Sequence, residues 1–265
     1  MTRSKRVTYE NLRVRDRDYV GGLDRWFAGK AGCEAQQPPP PPMFTPLRLR
    51  DLTLQNRVVV SPMCQYSAVE GAANEWHLVH LGACAVGGAG LVMTEMTNVS
   101  PEGRISRGCA GMWAPEHVAA WRRVVEFVHA RSTAKIGIQL GHAGRKGSAE
   151  HPWEGADVGL ADGWELLAPS PIAYAPGFAV PKAMTPEDMA RVVEQYRRAA
   201  QMSEEAGFDL VEVHMAHGYL LASFISPLTN VRTDEYGGRP GTSTASPPRR
   251  RAAWGGAGPP GAAGR

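Results

Sequence analysis

Two histidines three residues apart close a short apolar run in Val211-Glu212-Val213-His214-Met215-Ala216-His217-Gly218-Tyr219. Imidazoles at this spacing can ligate zinc, but such a site needs a third protein ligand, often a carboxylate. No HExxH pattern or matching acid accompanies them, so no metal site is assigned. They can also be two hydrogen-bonded histidines at a strand end. A third reading is a donor pair for a carbonyl or phenolate oxygen, with Tyr219 as a proton donor. Spacing alone leaves all three open.

Two other segments carry polar groups where apolar runs end. Ser61-Pro62-Met63-Cys64-Gln65-Tyr66 follows Val58–Val60. Proline lacks a backbone N–H, which leaves neighbouring backbone groups free to face a ligand. Cys64 is either a buried, inert thiol or a redox-tuning thiol beside a cofactor. Cys33, Cys84 and Cys109 lack such a context. Gln139 lies in the run Lys135–Leu140 and precedes Gly141-His142-Ala143-Gly144-Arg145-Lys146. Its amide donates and accepts at once, as the pyrimidine edge of a flavin requires.

These segments need elements to position them. Apolar runs at Val58–Val60, Gly90–Met96, Lys135–Leu140 and Asp209–His214 read as strands, expected near 57–63, 90–96, 135–141 and 209–215. Between them, helical periodicity marks Trp76–Val86 and residues 114–131, the latter through Val118, Trp121, Val124, Val125 and Val128. A third helix opens at Thr185-Pro186-Glu187-Asp188, with an N-cap, a proline at the first helical position and an acidic first turn. Gly207 is its natural stop. Strands that do not alternate in polarity argue for a parallel sheet buried on both faces. A dinucleotide-binding sheet would want G-x-G-x-x-G after its first strand, where Ser61-Pro62-Met63-Cys64 stands instead. In a parallel arrangement Ser61, Gln139, His214 and His217 share the C-terminal face of the strands, where barrel active sites lie. The long segment 142–184 follows such a strand end, and loops of that length are often functional.

Composition sets the remaining bounds. The chain has 265 residues, 43% hydrophobic, with 29 basic and 26 acidic side chains. That balance points to neither nucleic acid nor an anionic membrane as partner. No apolar run approaches the ~20 residues of a membrane span. Four cysteines without a CxxC pair, and a start without an apolar signal core, point to a reducing cytoplasm. Three zones are expected. Residues 1–42 are a charged N-terminal segment ending in five consecutive prolines at 38–42, an extended spacer. Residues 43–238 are the α/β domain. Residues 239–265 are rich in Arg, Pro, Gly and Ala without an acid, and read as a disordered tail of frameshifted translation.

Four stretches in order, SPMCQYS, GLVMTEMTNVSPEGR, KIGIQLGHAGRKGS and VEVHMAHGYLLASFISPLTNVRTDEYGG, resemble the Old Yellow Enzyme family, and the cysteine after Ser-Pro-Met resembles its thermophilic-like branch. The resemblance implies an α/β (β/α)8 TIM barrel, incomplete here, with the first four βα units only. It implies FMN at the strand ends, reduced by NADH or NADPH, with hydride passing from flavin N5 to an activated alkene. By motif, Ser61, Pro62, Met63 and Cys64 line the flavin ring and Gln139 bonds its pyrimidine edge. Met96 stands where the family has a small residue. His214 and His217 grip the substrate carbonyl oxygen, Tyr219 protonates the α-carbon, Tyr66 covers the substrate, and Cys64 tunes the flavin. The implied partner is a small molecule, an enone or an aromatic acyl-CoA derivative, and a homo-oligomer is left open.

The pattern departs from the family after Tyr236-Gly237-Gly238, where Arg239-Pro240 replaces its usual continuation. Half a barrel lacks the phosphate-holding loops that follow strands seven and eight, so impaired FMN binding is expected. Residues 1–35 resemble the linker of fused aromatic acyl-CoA monooxygenases. The alternative to an active oxidoreductase is therefore a non-catalytic fragment of such a bifunctional enzyme.

Overall fold

The computed structural model describes residues 8–155 and 158–237; the tail read at 239–265 lies outside them. Two helices come first, α1 (Tyr9–Arg15) and α2 (Arg17–Ala31). Thr8 and Asp16 cap their N-termini, and Gly32 ends α2 at φ 70°. Helix α1 buries nothing, whereas α2 buries Val20, Asp24 and Ala28. That four-residue period is masked by the charged composition of the segment. The Tyr9 hydroxyl donates to Asp24, and the Arg57 guanidinium lies 5.1 Å from the Phe27 ring centroid, joining α2 to the domain.

An antiparallel hairpin, β1 (Leu47–Leu49) and β2 (Leu52–Leu54), precedes the main sheet. Its three-residue strands are too short to leave a periodic signal. The main sheet contains β3 (Val59–Val60), β4 (Leu91–Asn98) and β5 (Lys135–Gly141). Segment 142–184 adds only a small parallel pair, β6 (Leu167–Ala168) and β7 (Lys182–Ala183). The fourth strand of the main sheet is β8 (Leu210–Val213). All pairings in this sheet are parallel and its order is β3-β4-β5-β8. The four expected strands are thus present, adjacent and in chain order. A doubly wound sheet would reverse its order at a switch point, and this one does not.

Helices α3 (Glu75–Val86), α4 (Pro115–Arg131) and α5 (Pro186–Ala206) connect successive strands and pack side by side in chain order. Trp121 of α4 is fully buried among Val92, Ile136 and neighbouring helix residues, and its indole N–H donates to the Gly111 carbonyl at 3.2 Å. A last short helix, α6 (Leu220–Ile225), follows the sheet. Val59 of β3 and Val211 and Val213 of β8 are exposed, so the described sheet is open at both edges.

Two local features place the site. The β4–β5 register shifts between Met93 and Met96, leaving Thr94 and Glu95 together opposite Ile138. Such a bulge re-aims side chains locally. Beyond it, Met96, Gln139 and Glu212 stand in one row across β4, β5 and β8.

Helix α5 yields a test. Thr185 Oγ1 accepts the Asp188 N–H at 3.2 Å, and Asp188 Oδ2 accepts the Thr185 N–H at 3.1 Å. Burial pushes the Asp188 carboxyl up, but bonds from Lys182, the Thr185 amide and Arg191 outweigh it and hold it down at about 2. A depressed carboxyl contributes stability that is present above its unfolded value, about 3.9, and is lost as pH falls through its folded value. Asp188→Asn should cost about 1–2 kcal/mol near pH 7 by urea unfolding. The gap should narrow below about pH 4; a pH-independent gap would contradict this assignment.

Candidate active site

Parallel strands bring every segment singled out by sequence to one end of the sheet. Ser61 directly follows β3, Gln139 lies near the end of β5, and His214 directly follows β8. His214 is buried, and its amide donates to the Leu140 carbonyl at 2.9 Å. Its Nδ1 accepts the Ala216 N–H at 3.2 Å. A neutral ring then carries its proton on Nε2. Burial first, then His217, hold His214 below the usual imidazole range, with Glu212 opposing. His214 Nε2 meets His217 Nδ1 at 3.1 Å. His217 is exposed and held at φ 57°, in the left-handed region, beside Gly218 at φ 71°. The Tyr219 ring stands edge-on to His214 at 5.0 Å.

Lys146 was not singled out by sequence, yet it anchors this turn. Its Nζ donates to the His217 carbonyl at 3.2 Å and lies 5.1 Å from the Tyr219 ring centroid. The same ammonium lies 4.7 Å from the Tyr174 ring, which joins segment 142–184 to the histidine pair.

Gln139 is buried, and its Nε2 donates to Glu212 Oε1 at 2.5 Å. The Met96 side chain reaches across to Gly141, where an added Cβ would lie 2.4 Å from Met96 Cγ. Only glycine at 141 leaves this space beside His214.

The segment after β3 is less enclosed. Ser61 and Met63 are exposed, Pro62, Cys64 and Tyr66 half-buried. Among the described residues, Ser61 to Cys64 make no loop backbone–backbone hydrogen bond. Burial, then the neighbouring Cys109 and Glu95, push the Cys64 thiol up to about 12. Burial likewise raises the Tyr66 phenol, with smaller contributions from Cys64, Cys109 and Tyr219. Tyr66 also meets His151 and Trp153 of segment 142–184 edge-on, at 6.3 and 6.1 Å.

Residues 42–242 match the model of the NADH:flavin oxidoreductase / NADH oxidase family. The chain belongs to that family. It is 46% identical over 202 residues to an NADH:flavin oxidoreductase of Gibberella zeae, covering 74% of this chain and 49% of that protein. It is 42% identical over 200 residues to NADPH dehydrogenase of Bacillus subtilis, covering 75% and 55%. Among solved structures, morphinone reductase superposes with a TM-score of 0.64 at 34% identity, covering 74% of this chain and 54% of that one. Old Yellow Enzyme from Pichia sp. AKU4542 superposes with the same TM-score at 29% identity, covering 74% and 51%. The chain therefore spans about half the length of the curated relatives it matches. The four consecutive βα units are a sector of the family's barrel, and the family's cofactors are FMN and a nicotinamide reductant. No described helix is long and apolar enough to cross a membrane.

His142, the residue after β5, offers a test of how tightly this face is closed. It is buried, with Nδ1 accepting the Gly144 N–H at 3.0 Å and, among the described residues, no hydrogen-bond partner for Nε2. Burial holds it below the ordinary imidazole range, against the pull of Glu102. A base depressed on folding binds protons more readily when unfolded, so stability falls as pH drops below about 6.5. The melting temperature should therefore decline between about pH 7 and pH 5, and His142→Asn should flatten that decline. Burial also holds His117 and His214 low, so the slope shrinks rather than vanishes. An unaltered slope would contradict the buried neutral imidazole.

Proposed function

We propose that this chain carries the ring-binding and substrate-gripping part of an FMN-dependent NAD(P)H oxidoreductase of the ene-reductase type. The observation that carries the reading is the convergence of His214 Nε2 and His217 Nδ1, 3.1 Å apart, at the strand end that also presents Gln139. Within the matched residues 42–242, the barrel unit is taken as residues 43–238, with residues 1–42 an N-terminal segment.

The residues present fit the flavin ring. Gln139 uses one amide hydrogen on Glu212, which leaves its other N–H and its carbonyl for a ring edge that both accepts and donates. Gln65 Nε2 takes the Met63 carbonyl, and among the described residues the backbone groups of Ser61 and Cys64 make no loop backbone–backbone bond and are available to such an edge, with Pro62 beside them. Met96, buried against Gly141, stands on this row where the resemblance implies a small residue, and as an unbranched thioether it adapts readily to a neighbour. Bound FMN supplies the hydride.

The protein's own groups do the rest. A substrate carbonyl oxygen lying against both rings replaces the bond between them: it accepts from His214 Nε2–H and, once His217 takes its Nδ1–H tautomer, from His217 Nδ1–H. Two donors brought to an oxygen that gains negative charge stabilise that charge where it develops. A neutral His214 suits this role, because it donates without trapping a proton. Tyr219, edge-on to His214, is the proton donor to the substrate carbon. Tyr66 closes the site from the β3 side and stays protonated through burial. The substrate is a small enone or an aromatic acyl-CoA derivative. Four free thiols suit a reducing cytoplasm.

The test is to titrate the 265-residue chain with FMN, follow fluorescence quenching, and assay NADPH-driven reduction of cyclohexenone. Saturable quenching should weaken by about tenfold or more, one lost charge-independent bond or its equivalent, in Gln139→Ala. Any turnover should disappear in Tyr219→Phe. Quenching that is absent, or indifferent to Gln139, would overturn the reading in favour of a non-catalytic fragment.

A further inference from the structure

Beneath the segment that follows β3 lies a buried carboxylate that the mechanism above does not use. Glu95 sits in the β4 bulge with a side chain about 1% exposed. Its Oε1 meets His77 Nε2 of α3 at 3.0 Å, and its Oε2 accepts the Gln65 backbone N–H at 3.2 Å. His77 is buried too, and its Nδ1 accepts the Asn74 N–H at 3.1 Å. That bond places the His77 proton on Nε2, facing the carboxylate. Burying a carboxylate is costly unless it is hydrogen-bonded. The bulge, the α3 cap and the Gln65 amide all converge on this one group.

We propose that Glu95 is a positioning residue: tied to His77, it fixes the Cys64–Tyr66 segment through the Gln65 amide and keeps a buried negative charge beside the Cys64 thiol.

The geometry gives the reason. Gln65 separates the thiol from Tyr66, which is held at φ 52° in the left-handed region. A non-glycine residue stays there only when its surroundings enforce it. The Glu95–Gln65 bond is one restraint. Others are the Trp76 indole N–H to Gln65 Oε1 at 3.0 Å, Gln65 Nε2 to the Met63 carbonyl at 2.8 Å and the Ser67 hydroxyl to the Gln65 carbonyl at 2.9 Å. Around the thiol stand Glu95 and the Met96 amide on β4, Cys109 on the loop after β4, and Tyr66 on its own segment; His77 of α3 backs Glu95. Burial first, then Cys109 and Glu95, oppose thiolate formation, so Cys64 remains a neutral S–H at physiological pH. Its bearing on flavin chemistry rests on the reading above; the positioning claim does not.

Glu95→Gln separates charge from shape. With His77 in its other tautomer, Nδ1–H donates to Asn74 Oδ1, 3.1 Å away. His77 Nε2 then accepts the new amide N–H, and the new amide oxygen still accepts from Gln65. The test uses the 265-residue chain without cofactor. Alkylation of Cys64 by iodoacetamide is followed against pH by peptide mass spectrometry, which separates it from Cys33, Cys84 and Cys109. Hydrogen exchange of the Gln65 amide is read alongside. Cys64 should react several-fold faster in Glu95→Gln than in wild type at a fixed alkaline pH, with Gln65 exchange still slow. Glu95→Ala should accelerate both. An unchanged Cys64 profile in Glu95→Gln overturns the charge role even if Glu95→Ala fails to fold. Unchanged Gln65 exchange in a folded Glu95→Ala overturns the positioning role. Because no FMN is added, failure here and failure of flavin binding are separate results.

Discussion

The parallel register of β4, β5 and β8 is the constraint on which the site depends. Backbone hydrogen bonds align Met96, Gln139 and Glu212 in one row and draw His214 up to Leu140. Side chains in a strand alternate between faces, so a slip of one residue would turn Gln139 and Glu212 away from each other. The cross-strand contact between Gln139 and Glu212 exists only in this register. The glycines of β5 complete the arrangement: Gly137 and Gly141 leave room that Met93 and Met96 fill from β4.

Around that frame, polar groups rather than apolar packing fix the loops at the strand ends. His217 and Tyr66 both occupy left-handed backbone conformations, and each is tied from outside its own segment. Lys146 holds the His217 carbonyl, and Glu95 holds the amide next to Tyr66. Apolar burial is concentrated one layer away, in Trp121 and the valines of α4 against the strands. A site built this way places donors firmly while keeping its own face free for a ligand.

Much of this was legible in the sequence because the signals are local. Apolar runs without alternation marked the four strands, and Thr185 through Asp188 marked the start of α5 where it is observed. The residues at strand ends followed from topology, since parallel strands share their C-terminal face. What sequence did not reveal depends on contacts between distant residues. His77 and Glu95 look like an ordinary helix histidine and a polar residue in a strand until the bulge brings them together. Glu212 was passed over because its partner lies 73 residues away. Lys146 reads as a solvated charge until the fold sets two tyrosine rings beneath it. The stripe of α2 was hidden among its charges.

Membership of the NADH:flavin oxidoreductase family and the paired imidazoles lead to one central claim, that this strand end is built to hold an oxygen anion. Difference spectroscopy with 4-nitrophenol, coloured as the phenolate and colourless as the phenol, measures that most directly. At a pH where the free dye is mostly protonated, the account predicts that added protein increases the phenolate band. It also predicts that His214→Ala and His217→Ala each abolish the increase. A band that does not grow with wild-type protein, or that grows equally with either variant, would contradict it.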